Sequence, residues 1–166
     1  INQYPMGDAG WQFTSAFEIN QKLLCDPETQ DSAFDSFDDK LRTVLKAAQT
    51  LEKPVVFTET GFPSAVDFMI DGEIASGKPR YVGIHDRAAY ERAMQRFLSI
   101  LNKANLEFDE RINALYFYEW QDNLYHNKIW NIEQSPIHVS FGLNDHTGTP
   151  KFDISAVLQG NGAETK

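Results

Sequence analysis

The chain has 166 residues, enough for one domain with its own core. Hydrophobic residues make up 42% and charged residues 23%, which excludes wholesale disorder and a fibrous repeat. The formal net charge is −9 with no basic run, so neither nucleic acid nor an anionic membrane surface is an expected partner.

A single cysteine, Cys25, excludes an internal disulfide and a multi-cysteine zinc site. It reads as a buried or idle thiol. No apolar stretch approaches the ~20 residues of a membrane span. The chain opens on Ile1, without a methionine or a signal region. The expectation is a processed chain or a piece of something longer.

In chain order, residues 1–5, Ile-Asn-Gln-Tyr-Pro, read as a strand end running into a loop at Pro5. Residues 6–30 are mixed, with Phe13, Phe17, Leu23 and Leu24 in a short helix at most. Apolar residues from Phe34 to Leu51 recur at spacings of three and four, which predicts a helix over 33–51. Asp31 or Ser32 would cap it. Pro54 to Glu59 is a short apolar run, the pattern of a strand buried on both faces. Residues 65–85 carry three glycines and Pro79 and read as a long loop. A second helix is expected from Asp86, as cap, to Lys103, with Tyr90, Met94, Phe97, Leu98 and Leu101 as its stripe. A second buried strand follows from Ile112 to Trp120. Residues 121–140 read as loop, Phe141 to Gly148 as a short extended piece and a turn, and Ile154 to Leu158 as the start of a last helix. Strands alternating with helices imply an α/β class with a parallel sheet. No linker divides the chain, so residues 1–166 form a single domain with strands near 1–4, 54–59 and 112–119.

Ligands bind at the carboxyl ends of strands in such units. Asn2 to Pro5, Glu59 to Phe62 and Glu119 to Asp122 all fall there, so carboxylates and aromatics converge on one rim. That combination suits a sugar, because ring faces stack on a pyranose while a carboxylate stabilises or attacks its anomeric carbon.

Pro-Val-Val-Phe-Thr-Glu-Thr-Gly-Phe-Pro-Ser, residues 54–64, resembles the nucleophile strand of family 17 glycoside hydrolases, which ends in Glu-x-Gly-Trp-Pro-Ser. Asn2-Gln3-Tyr4-Pro5 resembles the end of that family's sixth strand. Tyr118-Glu119-Trp120-Gln121-Asp122 resembles its eighth strand, and Phe141 through Phe152 its closing segment. The resemblance implies the last three βα units of a (β/α)8 barrel and a retaining β-glycosidase, typically acting on β-1,3-glucan. It places the nucleophile at Glu59, set in a cleft. It places Asn2 and Tyr4 around the reacting sugar, Glu119 on sugar hydroxyls, and Phe62 or Trp120 against a ring. It implies an oligo- or polysaccharide partner, no cofactor, and a secreted or periplasmic location.

A full barrel needs ~250 residues, and a retaining mechanism needs a second carboxyl ~5 Å from the first. The family's acid sits in an Asn-Glu pair, and this sequence has none. The acid/base is therefore expected from outside the chain, with the isolated chain inactive. Self-association or the missing barrel half would cover its open edges. Other readings are a non-catalytic carbohydrate-binding half-barrel or degenerate remnant, a glucan transglycosylase, and a generic α/β interaction domain. The plain alternatives for single residues are a surface carboxylate at Glu59, loop-solvating Glu119 and Asp122, and core packing for Tyr116, Phe117 and Tyr118. His85, His126, His138 and His146 lack metal-ligand spacing, and the Asp-rich stretch 31–39 lacks a calcium loop's glycine.

Overall fold

Asp26 opens the first long helix, α1 (Pro27–Thr50). Its carboxylate accepts from the Thr29 amide at 3.4 Å and from the Thr29 hydroxyl at 2.5 Å. Pro27 occupies the first helical turn, where its missing N–H is no loss. The helix thus starts earlier than the apolar spacing suggests, and neither Asp31 nor Ser32 caps it. Its first turns are polar, so the stripe of Phe34, Phe37, Leu41, Leu45 and Ala48 does not reach them. The structure is a computed structural model, and it describes residues 1–5, 24–74, 77–125, 139–153 and 155.

Past Pro54 the chain enters β1 (Val55–Thr60). Two further strands follow, β2 (Ala65–Glu73) and β3 (Pro79–His85). Then come α2 (Arg87–Glu107) and β4 (Ile112–Phe117). Asp86 caps α2 as expected, accepting from the Ala89 amide at 2.9 Å. The Asn105 side chain accepts the Ile112 amide at 2.7 Å and so ties the end of α2 to the start of β4.

β1 and β4 pair in parallel, with Val55 opposite Ile112 and Thr60 opposite Phe117. Residues 1–3 lie along the other edge of β1. Asn2 bridges Glu59 in parallel, the Thr58 amide donates to the Ile1 carbonyl at 2.9 Å, and Gln3 donates to the Glu59 carbonyl at 3.2 Å. The parallel order of the three expected strand regions is therefore 1–3, β1, β4. The described residues form no closed barrel. β4 is also only half-buried, and Tyr116 is 60% exposed, so this strand is not buried on both faces and Tyr116 is not core.

The stretch 65–85 is not a loop. β2 and β3 form an antiparallel hairpin, with Phe68 opposite Gly83 and Ile70 opposite Tyr81. Gly77, with φ +75°, belongs to its turn, Pro79 starts β3, Gly72 lies near the end of β2 and Gly83 lies within β3. Met69, Ile70 and Ile84 on the hairpin are exposed.

The core lies between the parallel pair and the two helices. Phe57 of β1 and Phe62 just beyond it are fully buried with Phe34, Phe37, Tyr90 and Phe97. The Phe62 ring meets Tyr90 at 5.3 Å, Phe97 at 5.9 Å and Phe34 at 6.1 Å, all edge-to-face. Each such side chain contributes about 1.5–3 kcal/mol on burial. This core fixes the ends of β1 and β4, from which the rim residues project. Trp11, Trp130, His126, His138, Phe13, Phe17, Leu23 and Ile154 lie outside the described residues, as does the expected last helix apart from residue 155.

Candidate functional site

Glu59 sits near the end of β1, half-buried, bridged to Asn2 on one edge and lying within the register shift of the pairing with β4 on the other. The Tyr4 hydroxyl donates to its Oε2 at 2.9 Å, and the Asn2 amide donates to the same oxygen at 3.1 Å. Among the described residues both bonds fall on Oε2 and none on Oε1. The Asn2 amide is itself oriented, because the Thr58 hydroxyl donates to its Oδ1 at 2.5 Å. Residues 1–4 are held in turn by Thr60, whose hydroxyl donates to the Gln3 carbonyl at 2.7 Å, and by Gln3, whose side chain donates to the Phe37 carbonyl at 3.2 Å. Sequence reasoning placed Asn2, Tyr4 and Glu59 on one rim, and the structure brings the three into contact.

Aromatic rings stand behind this carboxylate. Phe141 meets the Tyr4 ring at 6.1 Å and the Tyr118 ring at 5.6 Å, both near edge-on. Partial burial and the bond to Glu59 push the Tyr4 hydroxyl far above its usual pKa. Burial also raises Tyr118 to about 12, with the charges of Glu119 and Glu59 adding to the effect. Tyr118 therefore lies in the field of both rim carboxyls, and neither phenol ionises near neutrality.

Glu119 is half-buried beyond β4, and the Tyr118–Glu119 peptide bond is cis. Its amide donates to the Phe141 carbonyl at 3.2 Å, and its carbonyl accepts from the Leu143 amide at 2.9 Å. Trp120 is 69% exposed, so its ring is available to a ligand. Phe62 is not. It has no exposed surface and sits in the core, which corrects the expectation that it stacks on a sugar. Its position after Gly61 turns it inward, toward α1 and α2. Gly61 itself must be glycine, since φ is +143° and an added Cβ would lie 2.8 Å from the Tyr118 carbonyl oxygen. The Tyr118 amide donates to the Thr60 carbonyl at 2.8 Å and holds the ends of β1 and β4 together.

A second polar cluster lies behind the rim. The Lys151 ammonium is 1% exposed as a residue and donates to Ser64 Oγ at 2.7 Å, to the Ser140 carbonyl at 3.1 Å and to Asp122 Oδ1. Asp122 Oδ1 also accepts the Gly142 amide at 2.9 Å. His85 has Nδ1 3.1 Å from Ser64 Oγ and Nε2 3.4 Å from Asp122 Oδ2. Asp122 is thus buried and ion-paired rather than solvating a loop. The Ser-His-Asp chemistry does not make a nucleophile here, because Ser64 is fully buried and its hydroxyl donates to the Ser140 carbonyl at 2.8 Å. Burial drives Lys151 down to about 8, against the pull of Asp122, Asp145 and Glu119 in the other direction.

Sequence reasoning left Lys151, His85 and Ser64 without a role. Pro150-Lys151-Phe152 marked Lys151 by resemblance alone, and a lysine in an extended piece gives no sign of burial. Cys25 is exposed rather than buried. The His146 carbonyl accepts from the Gln121 side chain at 2.9 Å. Among the described residues no group of three or more His, Cys, Asp or Glu could hold a metal ion, and no helix is long and apolar enough to cross a membrane. A hollow of about 560 Å³ opens between the start of α2 and Thr149–Asp153. Arg87, Glu91 and Pro150 line it, and Glu59 does not, so the expected cleft is not this hollow.

The described fold defines a mixed α/β protein with parallel strands and helices. No family model matches the chain, and no curated protein does. A distant structural neighbour is the crystal structure of an endo-laminarinase from Formosa Hel1_33_131, with 16% sequence identity and a TM-score of 0.45. The match covers 98% of this chain and 39% of the laminarinase chain, so this chain spans well under half the length of that neighbour.

Proposed function

We propose that this chain is the carboxyl-terminal part of a retaining β-glycosidase acting on β-glucan, β-1,3-linked in the first instance. Glu59 is the nucleophile, and the general acid/base comes from outside the chain. Oε1 attacks the anomeric carbon while the acid protonates the leaving oxygen, giving a covalent glycosyl–enzyme. Water then attacks that carbon, loses its proton to the same acid/base group, and releases Glu59. Asn2 and Tyr4 hold Oε2, so the attacking oxygen is aimed before the sugar arrives. Glu119 accepts sugar hydroxyls, and Trp120 offers the ring against which the sugar stacks.

The carrying observation is the convergence of the Asn2 amide and the Tyr4 hydroxyl on one oxygen of Glu59, at the end of a parallel strand. Titration of the isolated chain with laminari-oligosaccharides, followed by tryptophan fluorescence, tests the reading. Binding is expected with a Kd between about 1 μM and 1 mM, weakened by W120A and by Y4F, with no sugar released. Absence of binding overturns the sugar site. Release of reducing ends by the isolated chain overturns the assignment of the acid/base to another segment.

A further inference from the structure

The rim carboxylates stand on two segments that no helix spans. Glu59 is followed by the buried turn 61–64, and Glu119 by the segment that reaches Asp122. Resting on the reading of Glu59 and Glu119 as the two sides of a sugar site, we infer that Lys151 is the positioning residue of that rim: one buried ammonium ties the turn after Glu59 to the segment after Glu119.

The geometry is that of a three-way clamp. An ammonium has three donors, and each of the three meets an acceptor on a different segment. Ser64 belongs to the turn after β1, Asp122 to the segment after β4, and Ser140 to the closing segment. The backbone repeats the same connections. Ser64 donates its amide to the Ser140 carbonyl at 3.0 Å, Asp122 donates to the Asn144 carbonyl at 3.0 Å, and Lys151 donates to the Leu143 carbonyl at 3.0 Å. Gly142 permits the closeness, since a Cβ there would lie 2.2 Å from the Asp122 amide nitrogen. An arginine's planar fork cannot reproduce three divergent bonds at this spacing.

Titratable groups face the clamp from every side. Asp122 and Glu119 face it from the segment after β4, and Asp145 from the closing segment. His85 at the end of β3 touches both Ser64 and Asp122, and Tyr90 of α2 lies in the field of Asp122. None of these replaces the ammonium as a donor to Ser64, Ser140 and Asp122 together.

The test is amide hydrogen exchange by NMR on the wild-type chain and on K151R and K151M, with intrinsic rates removed. K151M should raise local opening at Glu119, Asp122 and Asn144 by about tenfold or more, and K151R should show weaker protection than wild type at the same amides. Oligosaccharide affinity is the second readout. K151M should lose about tenfold, K151R should recover part of it, and V44A, a destabilising change on α1 away from the rim, should leave affinity unchanged.

Wild-type local protection in K151M or in K151R overturns the clamp. Equal loss of affinity in V44A and K151M reduces Lys151 to general stability and overturns the positioning role. If K151M does not fold, K151R carries both readouts. If the wild-type chain binds no sugar, the glycosidase reading falls on its own, and the exchange measurement still decides the clamp.

Discussion

Two carboxylates near the same strand ends live in opposite ways. Glu59 is half-open, takes its bonds from an amide and a phenol, and keeps one oxygen clear of bonds among the described residues. Asp122 is buried, takes its bonds from an ammonium and a backbone amide, and has an imidazole beside its second oxygen. Neutral donors hold a carboxylate in place without cancelling its charge. A buried cation cancels the charge and fixes the geometry, so that group is spent on structure. On the proposed reading, the difference separates a residue placed to react from one placed to hold.

That contrast can be broken most forcefully at Asp122. D122A leaves the Lys151 ammonium buried without its counter-ion, and about 3–5 kcal/mol of stability should be lost. Denaturant unfolding monitored by circular dichroism checks it, and a loss under 1 kcal/mol would erase the distinction. A middle-sized effect is expected beside Glu59, at Phe62. The resembled family carries Trp there, yet the ring is enclosed by Phe34, Tyr90 and Phe97. F62W should overpack this core and cost about 1–3 kcal/mol, read as a lower denaturant midpoint. The smallest effect belongs to Glu59 itself. E59Q keeps an oxygen for Tyr4 and Asn2, so stability should change by less than about 1 kcal/mol, while the proposed nucleophile role predicts loss of glycoside turnover. A large stability loss in E59Q would make Glu59 another structural carboxylate.

Much of the frame is legible in the sequence, for physical reasons that can be named. The stripe from Tyr90 to Leu101 and the cap at Asp86 are local signals, and local signals set α2. The apolar run at 55–57 set β1, and its parallel pairing with β4 follows from the helix between them. The hairpin was hidden because its glycines and Pro79 read as loop punctuation. The short apolar run Phe68-Met69-Ile70 between Asp67 and Asp71 is the strand signal in β2. The start of α1 was readable in Asp26-Pro27-Glu28, a cap followed by proline, but an apolar stripe cannot mark turns that face water. At the site, the rim triad of Asn2, Tyr4 and Glu59 followed from strand ends. The inward turn of Phe62 and the burial of Lys151 did not, because each is decided by contacts with segments far along the chain.

The bond between Tyr4 and Glu59 joins residues 55 positions apart, and that between Asn2 and Glu59 joins residues 57 apart. Closing such a span carries an entropic charge that helices formed from neighbours never meet. The partners of the carboxylate therefore meet it only when α1 has folded back to shorten the distance. Until then the carboxylate is an ordinary one on a loose strand, and its aim is a property of the finished chain alone.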